Sequence, residues 1–389
     1  MSHHNITFSK EELERYSRHL IIPEFNIEGQ KKLKASSVLV IGSGGLGSPL
    51  LLYLAAAGVG RIGIVDFDTV DVSNLQRQVL FGIQDVGASK AVAASKRLAS
   101  LNPHISIEVH DTMFTAENAR KLIKQYDVVA DGTDNFPTRY LVNDACVLED
   151  KVNVYASIFR FEGQASVFNE LLPDGTRGPN YRDLFPSPPP PGLVPSCAEG
   201  GVIGVLPGIL GSIQALEVLK VISGIGDTLS GRLFLFDATG FTTRILKVRK
   251  NKNNPLNGEN PTQTKLINYE QFCGLSVISE QPREVAEISV SELDKWRKEG
   301  VSHLLIDVRE PYEYGIVEIG GELIPLATVL ESTDRIPKDI PVVVQCRSGA
   351  RSASAIRELE DTHGYTNLVN LTGGILGWQE EIDSSLARY

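Results

Sequence analysis

A chain of 389 residues exceeds what one ordinary hydrophobic core organises, so its length favours at least two domains. Its 42% hydrophobic and 22% charged residues are typical of a soluble globular protein, and its net charge of -10 argues against a broad nucleic-acid surface or an anionic membrane partner. The polar N-terminus resembles neither a signal peptide nor a transit peptide. Four cysteines without a CxxC pair indicate a reducing compartment, so we expect a cytoplasmic protein.

The first part of the chain alternates helix and strand patterns. The expected elements, in chain order, are a helix over residues 10–24, strand Ser37–Ile41, helix Leu46–Ala57, strand Arg61–Asp66, helix Ala88–Leu101, strands Ile105–His110 and Asp127–Asp131, and further strands within Asn153–Phe168. This alternation predicts an α/β fold with an open, largely parallel sheet. The uncharged run Gly201–Leu216 contains Pro207 and is short for a membrane span, so we expect a buried helix there.

A domain boundary is expected where the apolar content falls. It drops over Lys250–Thr264 and again in "SEQPREVAE", which places the linker within Leu266–Glu287. A second series of strand and helix patterns follows, long enough for a small α/β domain. We therefore assign residues 1–275 to the first domain, 276–287 to the linker and 288–389 to the second domain.

The stretch "VLVIGSGGLGSPLL" predicts a nucleotide-binding turn. Gly42, Gly44 and Gly47 form a G-x-G-x-x-G pattern between an apolar strand and a helix, where backbone N–H groups can approach phosphate or ribose. Asp66 ends the next strand, at the position of an acid that hydrogen-bonds ribose hydroxyls. On these residues alone, a dinucleotide-binding dehydrogenase is the default interpretation.

The residues after Asp66 favour a triphosphate. Arg77 and Lys90 would neutralise its charge, while Asn74 and Gln78 would hold it in register. Asp134 in "DGTDNFPTR" follows another strand, at the edge where open α/β sheets bind their ligands, and a carboxylate beside phosphates suits Mg²⁺.

These motifs resemble the MoeB/ThiF adenylyltransferases, relatives of the ubiquitin-activating enzymes. The similarity is carried by "RYSRHLIIPEF", "GSGGLGSP", "DFDTVDVSNLQRQ", "VGASKA" and "DGTDNFPTR", and extends from about Glu12 to Phe272. It implies a Rossmann-like ATP-binding domain with a mixed sheet that adenylates the C-terminal Gly-Gly carboxylate of a small ubiquitin-like sulfur-carrier protein. The nucleotide-binding positions it implies are Gly42, Gly44, Gly45, Gly47, Asp66, Ser73, Asn74, Leu75, Gln76, Arg77, Lys90, Asp134 and Asn135. Among the catalytic positions, Arg77 and Lys90 would act on the phosphates, and Arg18 would be donated to the partner subunit of a homodimer.

The chain departs from many members of that family at a zinc site. Where they carry two CxxC pairs, it has Asn180 with Asp183, and Asn254 with Asn257. Asparagine is a poor zinc ligand, so we predict no structural zinc. Cys197, in a proline-rich and glycine-rich loop, matches a cysteine that some relatives link covalently to the carrier, and we expect it to be reactive.

The stretch "VVVQCRSGARS" predicts an anion-stabilising loop around a thiol. Cys346 follows an apolar strand and precedes a helix, and Arg347 and Arg351 add positive charge, which would stabilise a thiolate or an anionic persulfide. The spacing C-x-x-x-x-R is one residue too short for the related phosphatase loop. Over about Ile288–Trp378 this region is similar to rhodanese sulfurtransferases, including "LLIDVREPYEY" with Asp307, Arg309 and Glu313.

The two resemblances together imply an ATP-driven adenylyltransferase joined to a sulfurtransferase. A persulfide on Cys346, formed from thiosulfate or by a cysteine desulfurase, would attack the acyl-adenylate, with Cys197 as the second thiol. The carrier would belong to molybdopterin synthesis or to the related thiamine, cysteine or tRNA thiolation pathways. Two alternatives stay open, a rhodanese domain that only docks a partner and an NAD-dependent oxidoreductase with an appended redox domain.

Overall fold

The chain divides into two compact units, Met1–Val277 and Ile278–Tyr389. The structure is a computed structural model and describes residues 6–190, 201–274 and 283–389. Each unit is treated separately below.

The first unit is built on one mixed sheet. Its described strands are β1 (Ser37–Ile41), β2 (Arg61–Asp66), β3 (Ser106–Asp111), β4 (Val128–Asp131), β5 (Val152–Phe159), β6 (Glu162–Phe168), β7 (Arg232–Asp237) and β8 (Thr242–Lys247). Their spatial order is β3-β2-β1-β4-β5-β6-β7-β8, parallel from β3 to β5 and antiparallel from β5 to β8. Because the chain switches direction of travel between β1 and β4, the ends of β1, β2 and β4 surround a crevice of the kind that binds ligands in open α/β sheets. The predicted Rossmann-like fold with a mixed sheet is confirmed.

The helices of the first unit begin and end at local signals. They are α1 (Lys10–Arg15), α2 (Ser17–Leu20), α3 (Asn26–Ala35), α4 (Gly47–Ala57), α5 (Lys90–Leu101), α6 (Ala119–Ile123), α7 (Phe136–Leu148), α8 (Tyr181–Leu184), α9 (Val205–Ser223) and α10 (Tyr269–Phe272). α4 ends at Gly58, whose φ of 85° is left-handed. α5 begins two residues later than the sequence pattern predicts, because the Ser89 side chain accepts a hydrogen bond from Val92 N and caps it.

Helix α9 is long and apolar enough, by length and composition alone, to span a membrane. Its contacts lie instead with α4 and with strands β5 and β6. The Gln214 side chain is fully buried and donates to the backbone oxygens of Asp131 (2.7 Å) and Val154 (2.8 Å). These bonds satisfy the buried Gln214 amide nitrogen inside the protein, so α9 is the expected core helix.

The second unit is a small parallel sheet covered by helices. Its described strands are β9 (Glu287–Ile288), β10 (Leu304–Asp307), β11 (Glu322–Leu323), β12 (Val342–Gln345) and β13 (Leu368–Leu371), and its helices are α11 (Val290–Glu299), α12 (Pro311–Tyr314), α13 (Ala350–His363) and α14 (Gly374–Glu381). The spatial order is β11-β10-β12-β13-β9, with every pairing parallel. Strand β12 is central and buried along its length, which explains its unbroken valine run.

Residues near the expected linker belong to the folded units. Tyr269 is 5% exposed and packs in the first unit, and its hydroxyl donates to Asp144 Oδ2 (2.9 Å). On the other side, Glu287 is already paired with Asn370 in the second sheet, and Arg283 forms an ion pair with Asp361 (3.1 Å). Residues 283–287, which the sequence analysis places in the linker, therefore contribute to the second unit, because backbone pairing in a two-residue strand leaves little hydrophobic signature.

Candidate functional site

A glycine turn between β1 and α4 forms one wall of a pocket. Gly42 has a φ of +86°, and a Cβ added to it would lie 3.1 Å from Gly132 O. A Cβ on Gly47 would lie only 2.0 Å from Gly42 O, so the helix can start here only with glycine at this position. Gly44 and Gly45 line the pocket. The turn therefore presents bare backbone at the N-terminus of α4, as phosphate binding requires.

Asp66 fixes the end of β2 against this turn. Its Oδ2 accepts hydrogen bonds from Ser43 N (2.8 Å) and Ser43 Oγ (2.7 Å), and its Oδ1 accepts from Asp68 N (3.0 Å). The side chain is buried but lines the pocket. Asp66, the carboxylate predicted to hydrogen-bond the ribose hydroxyls, is thus held at the pocket wall by Ser43 of the glycine turn.

Two cations reach the same pocket from different elements. Lys90 is the first residue of α5, and its side chain is only 7% exposed. Its Nζ forms an ion pair with Asp68 Oδ2 (3.0 Å). Arg77 also lines the pocket and donates from Nη1 to Ser73 O (3.0 Å). The structure therefore brings together the two cations that the sequence pattern assigned to a triphosphate.

The loop after β4 carries Asp134 to the pocket rim. Asp131 is fully buried, and its Oδ1 accepts from Thr133 N (3.0 Å) and Thr133 Oγ1 (2.6 Å). Burial raises the pKa of Asp131 above the usual carboxyl value. Asn135 lines the pocket while capping α7 through Thr138 N (3.0 Å). Asp134 itself is exposed and lines the pocket together with Lys90 and Arg77.

Five of the expected nucleotide positions, Gly47 and residues 73–76, are not among the described lining residues of the pocket, and their role stays a prediction. Residues 73–76 follow one another around a 3₁₀ turn and do not belong to the described lining of this pocket. Ser73 N and Oγ both donate to Asp71 Oδ1, at 2.8 and 2.6 Å, so Asp71 caps the 3₁₀ turn that carries these residues. Gln78 does line the pocket, is 4% exposed, and leaves its Oε1 without a hydrogen-bond partner in the described structure. Gln78 is thus better placed toward a ligand than Asn74 or Gln76.

An apolar wall of the pocket was not expected from the sequence. Phe67, Met113 and Phe114 line it, and Arg139 lines it from α7. Phe67 and Met113 are about half exposed, which is unusual for large apolar side chains and fits contact with a base. The sequence does contain a signal for Phe67, Met113 and Phe114, because they follow the carboxyl ends of the parallel strands β2 and β3.

Arg18 lies on α2 and is exposed. It is not among the described residues that line the pocket of its own chain. Its donation to a partner subunit stays a prediction.

One hydrogen-bonded cluster, called the amide cluster below, occupies the positions where many members of the resembled family carry zinc-binding cysteines. It consists of Asn180, Asp183, Asn254 and Asn257. Asn180 Nδ2 donates to Asn257 Oδ1 (3.0 Å), and Asn254 Nδ2 donates to Asp183 Oδ1 (2.8 Å) and to Asn180 Oδ1 (3.2 Å). Asn180 and Asn254 are almost completely buried. In the described residues, no group of three or more His, Cys, Asp or Glu side chains is arranged to hold a metal ion. Direct hydrogen bonds link the two segments here.

The thiol of Cys346 lies in a loop between β12 and α13. Cys346 is 1% exposed, and its Sγ receives hydrogen bonds from Gly349 N (3.1 Å) and Ser352 Oγ (3.3 Å). Gly349 reaches this position with a φ of +100°, and a Cβ on Gly374 would lie 2.3 Å from Cys346 O. The loop therefore directs hydrogen-bond donors at the sulfur, as the motif predicts, and Gly374 of α14 packs against the Cys346 backbone with no room for a side chain.

Charged residues around the sulfur loop are locked in pairs. Arg351 donates from both terminal nitrogens to Glu313, at 2.7 Å each. Behind them, Arg309 and Asp307 form a fully buried ion pair. These pairs hold α12 and the strand end of β10 against the loop, so the arginine at the end of the motif is oriented rather than free.

The three described cysteines fall into two kinds of environment. Burial raises the pKa of the Cys146 thiol well above its usual value and that of Cys273 to about 11, which matches the expected role of both as small buried hydrophobic residues. Cys197 lies outside the residues that the structure describes. Of the described cysteines, Cys346 alone lies in a loop whose groups donate hydrogen bonds to its sulfur.

Together, a nucleotide pocket in a Rossmann-like unit and a thiol loop in a parallel α/β unit define an activating enzyme coupled to a sulfur-handling domain. The chain belongs to the ThiF family, whose model matches residues 16–257, and a model described as "Rhodanese-like domain" matches residues 289–381.

Two curated relatives share this organisation to different extents. The chain is 50% identical to "Probable adenylyltransferase/sulfurtransferase MoeZ" of Mycobacterium tuberculosis, over 98% of this chain and 96% of the relative. It is 54% identical to "Sulfur carrier protein adenylyltransferase" of Thermus thermophilus, over 69% of this chain and 99% of the relative. A solved structure of E. coli MccB resembles 67% of this chain and 76% of its own, with a TM-score of 0.57 and 20% identity, which supports the fold alone.

These findings confirm an enzyme of the adenylyltransferase and sulfurtransferase type, with the predicted ThiF and rhodanese domains. Membership of the ThiF family implies the use of ATP. The alternative of an NAD-dependent oxidoreductase is therefore set aside.

Proposed function

We propose that the protein adenylates the C-terminal Gly-Gly carboxylate of a small ubiquitin-like sulfur-carrier protein and then converts it to a thiocarboxylate with sulfur from Cys346. The observation that carries the first half is the convergence of Arg77, Lys90, Asp66 and Asp134 on one glycine-walled pocket. The donor loop around the Cys346 sulfur carries the second half.

The adenylation step needs no protein nucleophile. A carrier carboxylate oxygen attacks the α-phosphorus of ATP, the bond between the α- and β-phosphates breaks, and pyrophosphate leaves. Lys90 and Arg77 would stabilise the negative charge that builds on the phosphates, and Asp66 would hold the ribose. A buried lysine tied to Asp68 loses little freedom when it meets a phosphate, so its charge is already in position.

Asp134 would hold Mg²⁺ at this pocket. It is an exposed carboxylate beside the two cations, and Mg²⁺ is usually bound by one or two carboxylates together with water and phosphate oxygens. Bound there, the ion would neutralise phosphate charge. Asn135 and the turn at Thr133 would hold the loop that presents Asp134.

Sulfur transfer would follow in two displacements. The terminal sulfur of a Cys346 persulfide attacks the acyl carbon, AMP leaves with the electron pair, and an acyl disulfide forms. A thiolate, which we assign to Cys197, then attacks the Cys346 sulfur and releases the carrier thiocarboxylate. A disulfide between the two cysteines remains, and a cellular thiol reductant returns both to thiols. A Cys197 thioester with the carrier is the alternative, and mass spectrometry of the trapped adduct under non-reducing conditions distinguishes the two.

The assembly is proposed as a cytoplasmic homodimer in which Arg18 serves the pocket of the partner subunit. Its exposure on α2, away from the described lining of its own pocket, supports this assignment. Mixing the Arg18→Ala and Lys90→Ala proteins tests it, because hybrid dimers would regain one intact site and about a quarter of wild-type pyrophosphate exchange. Activity that stays at the level of the separate variants would refute the arrangement.

Cys346→Ala tests the division of labour between the two units. Carrier-dependent ATP–pyrophosphate exchange should stay unchanged, whereas thiocarboxylate formation from thiosulfate or a cysteine desulfurase should be lost. Loss of both activities would contradict the proposal. If Cys346→Ala retained full thiocarboxylate formation, the second unit would be the docking module of the alternative hypothesis. A panel of Gly-Gly carriers in the same exchange assay identifies the pathway.

A further inference from the structure

The segment after the last helix folds back onto the sulfur loop. Ile382 N and Asp383 N both donate to Trp378 O, at 2.9 and 3.0 Å, which reverses the chain at the end of α14. Ile382 and Leu386 then pack on the apolar cluster of the second unit, together with the ring of Tyr389. The apolar residues of this segment therefore fix where Tyr389 lies.

Tyr389 contacts the residue next to the active thiol. Its backbone oxygen accepts a hydrogen bond from Arg347 Nε (2.8 Å), and its ring lies 5.5 Å from the Arg347 guanidinium carbon. Both contacts hold the Arg347 side chain in one place, through a hydrogen bond and a cation–π interaction. Arg347 directly follows Cys346, so its charge is the nearest one in sequence to the sulfur.

The same tyrosine also contacts the ion pairs on the other side of the loop. Its hydroxyl accepts from Arg309 Nη1 (2.5 Å) and donates to Glu313 Oε1 (3.4 Å), the carboxylate that holds Arg351. Burial raises the pKa of Tyr389, so the phenol keeps its proton at neutral pH and can donate to a carboxylate. One side chain thus joins both arginines of the motif, one directly and one through Glu313.

We propose that Tyr389 is a positioning residue of the sulfur loop, holding the two motif guanidinium groups where they attract an anionic sulfur donor to Cys346. The inference rests on the proposed role of Cys346 as the sulfur carrier. A guanidinium fixed beside the sulfur loop concentrates anions there, whereas a mobile one is partly neutralised by solvent and by neighbouring acids. The expected effect is on anion binding, since Tyr389 does not touch the sulfur in the described contacts.

The test compares three variants of the full chain, namely Tyr389→Ala, Tyr389→Phe and the exposed neighbour control Arg388→Ala. Sulfur transfer from thiosulfate to cyanide gives separate KM values for each substrate. Tyr389→Ala should raise the KM for thiosulfate about 10-fold with a smaller effect on kcat, as misplacement of an orienting group does. Tyr389→Phe keeps the ring and the backbone oxygen, so its KM should rise only about 2-fold to 3-fold. Arg388→Ala should match the wild type.

A second measurement does not depend on sulfur transfer. The rates at which anionic iodoacetate and neutral iodoacetamide alkylate Cys346 are followed by peptide mass spectrometry, and their ratio reports the positive charge near the thiol. Tyr389→Ala should lower the iodoacetate-to-iodoacetamide ratio several-fold, and Tyr389→Phe less. An unchanged ratio in both variants would overturn the role of Tyr389. Failure of the wild type to transfer sulfur would instead overturn the proposed function, while the ratio still decides the role of Tyr389.

Discussion

Asn180→Ala should destabilise the first unit without any involvement of a metal ion. The Asn180 side chain donates to Asn257 and accepts from Arg182 N (2.9 Å), Asn254 Nδ2 (3.2 Å) and, at 3.4 Å, Asn143 Nδ2, and it is fully buried. Its three shorter hydrogen bonds, worth about 1 kcal/mol each, give a loss on the order of 3 kcal/mol. For a unit of this size, that loss lowers the midpoint of thermal unfolding by about 6–12 °C.

Calorimetry of the full chain measures this loss. The transition of the first unit is the one that moves upward when ATP is added, because ligand binding stabilises the folded state. Asn253→Ala is the matched control, since Asn253 lies beside Asn254 in the segment that contacts Asn180 but is exposed. A strong zinc chelator should leave the wild-type midpoint unchanged. A wild-type midpoint that fell with the chelator, or an Asn180→Ala midpoint equal to that of Asn253→Ala, would refute the hydrogen-bonded amide cluster as the link between the two segments.

Three further outcomes are expected. Asp134→Asn should lower pyrophosphate exchange about 10²-fold to 10³-fold, the usual effect of removing a group that acts on developing charge, and a loss under 5-fold would exclude it as the Mg²⁺ ligand. Ser352→Ala removes one of the two described hydrogen bonds to Cys346 and should slow sulfur transfer about 10-fold while exchange is unaffected; an equal loss of both would indicate misfolding. Burial by itself would raise the pKa of Glu313, but the hydrogen bonds from Arg351 and Glu310 N and the charges of Arg351 and Arg309 together outweigh it, so the pKa is lowered below its usual value. The pair therefore stabilises the second unit above the unfolded pKa, and this contribution is lost as the pH falls through the lowered folded value. Glu313→Gln should reduce the fall in melting midpoint between pH 7 and pH 3.5, and a fall as steep as in the wild type would contradict this.

Much of the pocket could be predicted because its parts are local. Gly42 follows a buried strand directly, and Asp66 ends the next strand. The alternation of strand and helix patterns, together with the glycine turn, therefore predicts that both lie at the same edge of the sheet. The direction of individual side chains after Asp66 could not be predicted in this way. Which side chains after Asp66 line the pocket depends on a 3₁₀ turn, Val72–Asn74, that Asp71 stabilises, and so short a turn leaves no periodic pattern in the sequence.

Contacts between segments that are far apart in the chain could not be predicted from the sequence, for a different reason. Asn180 and Asn254 are 74 positions apart, and Tyr389 and Arg309 are 80 apart, so no periodicity links them. Each contact is a single polar pair, and only the packing of the intervening elements brings its members together. The absence of zinc-binding cysteines was visible in the sequence, but the hydrogen bonds among the residues in their places were not.

Both units contain the same local backbone geometry, which is suited to stabilising negative charge. In each, a buried parallel strand ends at a turn that contains a glycine of positive φ, Gly42 at +86° and Gly349 at +100°, and a helix begins close behind. This geometry points backbone N–H groups at one position, which stabilises negative charge without a mobile side chain. In the first unit that charge would belong to phosphate, and in the second it would belong to sulfur, where Gly349 N already contacts Cys346. Since the backbone supplies the donors, replacing Gly349 by alanine should harm sulfur transfer more than replacing the exposed residue Arg388, whose charge lies outside the loop.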